Sequence, residues 1–427
     1  MNKYFWFSSY RLSLAIAGPI TTAIIILTLS PYEMGIYYVF SQLLLFSLAL
    51  ELSCGVLITQ SFGKLVNLST YKNKRIKLSI IDYENFKRVE LFSKKIATII
   101  TPLSFVVSWP IGFYVLNQGG HQQYQLLWFL FSILTSGGLL IQIYTSKLEG
   151  YNSVALAQKI RFISQIIRVL FLWISLVFGL KINALVISAF FALFSYFLIY
   201  KYFIKKIEHE VKQFISTDKV DIYSKIKHQS LITISNLFGN FVMRNLLVVI
   251  VFYVVGAEAA GAFGLSVVML EHIFVASLIP LHANLAKISR DTSQRKNHWN
   301  IFKKALLSLL LFILGVFSIF IVFTYISNFE NLSSKIIDPN LFLLLSLAYL
   351  PRFIIEPVQT YLRALDIEPF WIPNLIIGLG TLYYLFFHTT PFVINQFITD
   401  IIFLNIALLI MSFIFFIFLG FTKKFRP

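Results

Sequence analysis

Two arginines stand inside long apolar runs, where a charged side chain is costly. Arg168 and Arg244 each end a series of polar residues spaced three or four apart, so each lies on one polar face of its predicted helix. A charge at membrane depth usually faces a water-filled cavity or a partner and marks function. Because the planar guanidinium fork binds phosphate oxygens bidentately, the pattern predicts a site for a pyrophosphate-like anion.

The polar faces on which the two arginines lie form the candidate substrate-binding surface. In the predicted fifth span the face comprises Gln158, Arg161, Gln165 and Arg168; in the seventh it comprises Gln229, Thr233, Asn236, Asn240 and Arg244. A third stripe in the fourth span contains Thr135, Gly138, Gln142, Thr145 and Glu149. We assign substrate binding to Arg168, Arg244, Arg161, Asn240, Asn236 and Gln165. For the uncharged members, hydrogen bonding between packed helices is the competing interpretation.

Acidic and histidine side chains inside other spans are the candidates for coupling or charge balance. Glu51 lies one turn after Ser47 in the second span, and Glu271 and His272 lie in the eighth. These groups carry coupling protons or pair with the cations. The sequence leaves both roles open.

The tenth span contains Pro351 and Pro357, which interrupt a helical pattern. Arg352 and Glu356 lie four residues apart beside them. One interpretation is a kinked gate. The other is an ordinary helix end with a surface ion pair of small energetic value.

The elements that must position these residues are membrane-spanning helices. The chain has 427 residues, of which 58% are hydrophobic and 13% are charged, and this excludes a soluble domain of such length. A spanning helix needs about 20 apolar residues. We predict an all-α polytopic membrane protein with twelve spans: 12–30, 36–58, 96–116, 125–146, 154–179, 183–204, 230–255, 261–282, 305–326, 341–360, 370–388 and 397–420. The first is predicted to be a retained span rather than a signal peptide, because the second follows after a tight turn.

The distribution of positive charge predicts the orientation. With a cytoplasmic N-terminus, all but four of the 36 basic residues fall in inside segments, and the exceptions are Lys181, Lys335, Arg168 and Arg244. Lysine and arginine accumulate in cytoplasmic loops, so both termini are expected inside. This topology explains the net charge of +17 without nucleic-acid binding and leaves membrane lipids as the expected partner.

A long basic segment at 205–229 divides the chain into two predicted lobes of six spans around a central cavity, 1–204 and 230–427. Each lobe begins with a helix pair whose turn contains an acid, a glycine and an aromatic residue: Glu33, Gly35 and Tyr37 in one, and Glu258, Gly261 and Phe263 in the other. Internal repeats of this kind are common in transporters.

The sequence argues against an enzyme or a metal site. It contains no phosphate-binding loop of the Walker type, and its seven histidines are scattered without a metal-binding motif. The single Cys54 lies in an apolar run, which is typical of a small buried side chain. The longest predicted external loop, 327–340, is too short for a catalytic domain. We expect no cofactor, with H⁺ or Na⁺ coupling left open.

Three segments resemble the oligosaccharide flippases of the polysaccharide transporter (Wzx-like) family in the MOP superfamily. They are GIYYVFSQLLLFSLALELSCGVLITQSFGKL from Gly35 to Leu65, SKLEGYNSVALAQKIR from Ser146 to Arg161, and YLRALDIEPF from Tyr361 to Phe370. The twelve-span plan also agrees. The resemblance implies that a polyprenyl-pyrophosphate-linked oligosaccharide is flipped from the cytoplasmic to the periplasmic leaflet of a bacterial inner membrane by alternating access of two lobes.

The same resemblance implies a role in the assembly of O-antigen, capsule or exopolysaccharide, with a polysaccharide polymerase and a chain-length regulator as partners. A cation-lined central cavity is typical of such flippases and agrees with the arginines. Two alternatives stay open at this point. One is an ion-coupled extruder of drugs or small molecules from the same superfamily, and the other is a non-transporting membrane component of a glycan assembly complex.

Overall fold

The computed structural model describes residues 3–72, 75–80, 83–204, 207–210, 246–282, 299–364, 370–387 and 394–421. In the first half, the helices are α1 (Lys3–Thr28), α2 (Pro31–Leu65), α3 (Tyr83–Gln118), α4 (Gln125–Gly150), α5 (Val154–Val177) and α6 (Asn183–Ile204). In the second half they are α7 (246–254), α8 (Ala257–Ser277), α9 (Trp299–Ile326), α10 (Pro339–Leu347), α11 (Leu350–Ala364), α12 (Trp371–Phe387) and α13 (Ile394–Phe421). Short helical turns occur at Gln122–Tyr124, Ile279–His282 and Glu330–Ser333.

The helices have the length and composition of membrane spans. Among the described residues, seven helices are long and apolar enough to cross a membrane, and three shorter helical segments are also apolar. Many large apolar side chains point outward from them, for example Leu27, Leu314 and Ile321, as expected when lipid is the solvent. The prediction of a multi-pass helical membrane protein is confirmed. The count of twelve and the location of the termini stay predictions.

A small sheet in the basic segments departs from the all-helical expectation. Strands β1 (Val66–Lys72) and β2 (Arg75–Ile80) pair antiparallel, and β3 (Ile207–Glu210) pairs parallel with β2. Leu78 and Ile80 are buried in one cluster with Phe62 and Phe86. Alternating residues of a strand point to opposite faces, so Leu78 and Ile80 cover the helices from the same face of β2.

The chain divides into two compact units, Met1–Leu29 with Phe40–Ile234, and Ser30–Val39 with Ser235–Pro427. In the first unit, α5 packs against α1 and α6, and α4 packs against α3, α5 and α6. Polar side chains join neighbouring helices: Trp173 Nε1 donates to Thr21 Oγ1 at 2.8 Å, and the hydroxyls of Ser104 and Ser136 lie 3.1 Å apart. The predicted lobes joined at 205–229 stay a prediction, since most of that segment lies outside the described residues.

In the second unit, the start of α2 crosses α8 at glycines. A Cβ atom placed on Gly35 would overlap the carbonyl oxygen of Ala257, and one on Gly261 would overlap that of Pro31. Only glycine permits so close an approach of two backbones. The two turn motifs that suggested an internal repeat therefore lie against each other.

The sequence at residues 30–33 fixes where α2 begins. Ser30 N donates to Glu33 Oε2 at 3.0 Å, and Glu33 N donates to Ser30 Oγ at 3.3 Å. These reciprocal bonds form a capping box. Pro31 occupies the first helical position, where its missing N–H costs nothing. The acid of the first turn motif thus serves to begin a helix.

Candidate substrate-binding site

The predicted polar faces of the fourth and fifth spans line one cavity. It lies within the first unit and has a volume of about 110 Å³. Its polar and aromatic lining residues are Thr135 and Gln142 from α4, Arg161, Ser164, Gln165 and Arg168 from α5, Tyr10 from α1 and Tyr196 from α6. The structure therefore brings together three of the six residues assigned to substrate binding, Arg161, Gln165 and Arg168.

Polar residues line the cavity because they recur at helical spacing along α4 and α5, so that each helix presents them on one face. Arg161, Gln165 and Arg168 are separated by four and three residues, which keeps them on one face of α5. Gln142 lies seven residues after Thr135 on α4, two turns along the same face. The remaining lining residues are leucine, alanine and glycine. An apolar wall with a few polar groups is typical of a ligand site.

An ion pair holds one of the cavity arginines. Arg161 Nη1 donates to Glu149 Oε1, and Arg161 Nη2 lies 3.4 Å from Glu149 Oε2. Gln158 Nε2 donates to the same Glu149 Oε1 at 2.8 Å. A fork of two parallel bonds between guanidinium and carboxylate fixes the orientation of both side chains.

The short turn between α4 and α5 makes this pair possible. Residues 151–153 reverse the chain, with Asn152 at a positive φ of 57°. Tyr151 anchors the turn because it is buried and packs edge-on against Phe62, with 5.0 Å between ring centroids. Glu149, at the end of α4, therefore faces the first turns of α5. The carboxylate was part of the predicted fourth-span stripe, but sequence reasoning gave it no role.

A second pair of opposite charges lies in the second unit. Arg352 Nη1 is 3.9 Å from Glu271 Oε1, and the hydroxyl of Tyr349 donates to Glu271 Oε1 at 3.1 Å. Arg352 Nε donates to Asn405 Oδ1 at 3.2 Å. Glu271 is therefore a salt-bridge partner in this structure.

The tenth predicted span is interrupted at one of the two prolines that suggested it. Helix α10 ends at Leu347 and α11 begins at Leu350, so the break comes before Pro351, while Pro357 lies inside α11. Arg352 lies 3.9 Å from Glu271, and Glu356, the acid that the local spacing suggested, also interacts with it electrostatically. Arg352 is also part-buried, which is inconsistent with a surface pair.

The other predicted site residues are not placed at the cavity. Arg244, Asn236 and Asn240 lie outside the described residues. Glu51 falls within α2, at a position where the structure describes the backbone and not the side chain. His272 is exposed on α8. Among the residues that the structure describes, no cluster of His, Cys, Asp or Glu could hold a metal ion.

Sequence reasoning also missed the aromatic part of the cavity. Tyr10 and Tyr196 line it from α1 and α6. Neither tyrosine was assigned to a polar stripe, because α1 and α6 carry no series of polar residues like that of α5. Only the packing of α1 and α6 against α5 brings them to the arginines.

Comparison with solved structures identifies the fold, whereas sequence comparison does not. No protein-family model matches the chain, and no curated protein sequence matches it. The lipid II flippase MurJ in an inward closed conformation matches with a TM-score of 0.60 at 15% identity, over 99% of this chain and 88% of that one.

Two further solved structures are drug transporters. An inward-facing multidrug resistance MATE family transporter of the MOP superfamily matches with a TM-score of 0.59 at 13% identity, over 97% and 96% of the two chains. The MATE multidrug transporter DinF-BH matches with a TM-score of 0.53 at 12% identity, over 97% and 93%. The chain has the fold of the transporters and flippases of the MOP superfamily.

Proposed function

We propose that this chain flips a polyprenyl-pyrophosphate-linked oligosaccharide across a bacterial inner membrane by alternating access. The observation that carries the proposal is the cavity in which Arg161 and Arg168 stand among amide, hydroxyl and phenol groups. Two guanidinium groups suit the oxygens of a pyrophosphate, and amide and aromatic groups suit a sugar. The glycan is O-antigen, capsule or another exopolysaccharide, delivered to a polymerase and a chain-length regulator.

The fold supports a transport role. MurJ, which shares it, is a lipid II flippase and so acts on a lipid-linked substrate. Arg168 and Arg244, which the sequence predicts to lie at membrane depth, distinguish this chain from a pure scaffold, because a scaffold needs no charge there. In this proposal Arg244, Asn236 and Asn240 also bind the substrate, and Glu51, Glu271 and His272 balance charge or carry coupling ions.

A drug extruder is the second candidate, and the likeness to MATE transporters at comparable TM-scores favours it. The charge of the cavity separates the two candidates. Arginines focus a positive potential that attracts anions and repels cations. We therefore expect deletion of the gene to remove surface glycan and to leave sensitivity to cationic drugs unchanged.

The test in cells replaces Arg168 and Arg244 one at a time with alanine. We expect loss of surface glycan with normal membrane insertion, measured by glycan staining and by immunoblotting of membranes. Arg88, an exposed arginine on α3, supplies the control: Arg88→Ala changes the formal charge equally and should keep wild-type glycan. Wild-type glycan in both test variants would contradict the site.

A second test uses purified protein in liposomes. A flippase should move a fluorescent or radiolabelled lipid-linked oligosaccharide between leaflets, and Arg168→Ala should slow that movement at least about tenfold, which corresponds to the loss of roughly one charge-assisted contact. A scaffold would move none in either form. This result would support the competing interpretation of a non-transporting component.

A further inference from the structure

Glu149 holds one of the arginines that line the cavity, and it has no part in the proposed substrate contacts. Its two carboxylate oxygens face the two terminal nitrogens of Arg161, and Gln158 donates to it from the side. Arg161 lines the cavity, and Glu149 stands behind it and does not. The carboxylate thus reaches the cavity only through the guanidinium.

We propose that Glu149 is a positioning residue that acts as an internal counter-anion for Arg161 and competes with the anionic group of the substrate for it. This inference rests on the proposed function, because it concerns the same anion site. Between substrates, Glu149 balances the charge of a part-buried guanidinium. When a pyrophosphate enters, its oxygens compete with Glu149 for the same planar fork of donors.

The two cavity arginines then have different roles. Arg168 lies seven residues beyond Arg161 on the same face of α5, which is two turns or about 10 Å further along the helix. Because the carboxylate of Glu149 already offsets part of its charge, Arg161 attracts the pyrophosphate less strongly than it would without Glu149. A transporter must release what it binds, so a weakened contact favours turnover over affinity. Removal of Glu149 should therefore tighten binding while it slows transport.

The variant Glu149→Gln removes the negative charge and keeps the size and hydrogen-bonding groups of the side chain. We expect the purified full-length protein in detergent to bind inorganic pyrophosphate about tenfold more tightly, on the scale of a partly screened ion-pair interaction. Isothermal titration calorimetry measures this. A residue with only a structural role would weaken binding when replaced, so a gain in affinity is the decisive readout.

Two controls keep the result specific. Glu90→Gln removes an equal charge from another ion pair of the same unit, with Lys94 at 3.2 Å, and should leave the affinity for pyrophosphate unchanged. Glu149→Asp keeps the charge and should stay close to wild type. In the double variant Glu149→Gln with Arg161→Gln, the gain should disappear, because Glu149 acts through Arg161.

The outcomes separate this inference from the proposed function. If wild type binds pyrophosphate and Glu149→Gln binds it equally or more weakly, the role of Glu149 is wrong and the anion site stands. If neither protein binds pyrophosphate, the anion site itself is wrong, and this inference fails with it. Tighter binding by Glu149→Gln together with slower movement of a lipid-linked oligosaccharide in liposomes would support both.

Discussion

The pair Glu149–Arg161 and the pair Glu271–Arg352 combine the same two side chains in different surroundings. Their exposed fractions are similar, 18% and 17% in the first pair and 19% and 13% in the second, so burial does not distinguish them. In the first, the guanidinium also lines a polar cavity. In the second, the guanidinium meets Asn405 and lies 5.2 Å from the ring centroid of Tyr349.

The difference lies in what else each arginine can contact. Arg161 can exchange a carboxylate for an incoming anion, because the cavity gives access to it. Arg352 is held by groups from three parts of the second unit, next to the break between α10 and α11. We infer that the first pair serves binding and the second fixes the interrupted tenth span. Variants of these pairs, measured beside a pair with one exposed member, can test that contrast.

The largest effect is expected in the second unit. Glu271→Leu leaves Arg352 without the carboxylate at 3.9 Å and Tyr349 without its acceptor, and should lower the free energy of unfolding by about 3 kcal/mol, because two part-buried groups each lose a charged partner. Denaturation in mixed detergent micelles measures this. The double variant Glu271→Leu with Arg352→Leu should recover more than half of the loss, because no isolated charge remains. A cost below about 1 kcal/mol for the single variant would contradict the structural role of this pair.

Removal of the amide that supports Arg352 should have the next largest effect. Asn405 is buried, and its Oδ1 accepts from Arg352 Nε. Asn405→Leu removes a hydrogen bond to a charged group and should cost about 2 kcal/mol of stability in the same unfolding assay. Thr399→Val, on the exposed side of the same helix, removes a bond to the backbone of Asn395 and is the matched control. Equal losses in the two variants would mean that Asn405 does not hold Arg352.

A smaller loss of stability is expected for the pair beside the cavity. Arg161→Gln leaves Glu149 with the bond from Gln158, and the new amide can donate to the carboxylate in place of the guanidinium, so its cost should be about 1 kcal/mol. Transport of a lipid-linked oligosaccharide should nevertheless fall. A destabilisation as large as that of Glu271→Leu would remove the contrast between the two pairs.

A pair with one exposed member gives the baseline. Lys94 and Glu90 lie one turn apart near the start of α3, and the lysine side chain is 57% exposed. Glu90→Gln should change the free energy of unfolding by about 0.3 kcal/mol, the usual value for such a pair, and raising the salt concentration should make this difference smaller. A large effect here would show that general charge balance, rather than the two part-buried pairs, sets the stability.

Much of the fold could be predicted from the sequence, because lipid imposes strong constraints on helix length and apolar content. Eleven of the twelve predicted spans coincide with described helices, and 246–254 covers part of the remaining one. The hairpin of β1 and β2 was not predicted. Its basic residues suggested a loop, and the apolar residues that it buries, such as Leu78, alternate over too short a stretch to stand out.

The candidate site could be predicted only in part. The stripe of Arg161, Gln165 and Arg168 follows from helical periodicity alone, since all three lie on one element. The partners of the charges depend on which elements pack together. Glu149 meets Arg161 across a turn, and Glu271 meets Arg352 across 81 residues of sequence, so no local spacing reveals either pair.

The sequence by itself determined that helices cross a membrane and that charged residues lie on certain of their faces, because apolar length and periodicity are local properties of the chain. The tertiary structure decided which face opens on a cavity and which acid meets which arginine. These outcomes depend on which helices pack together. Lipid does not favour one arrangement of apolar helices over another, so close packing and hydrogen bonds between helices select the arrangement.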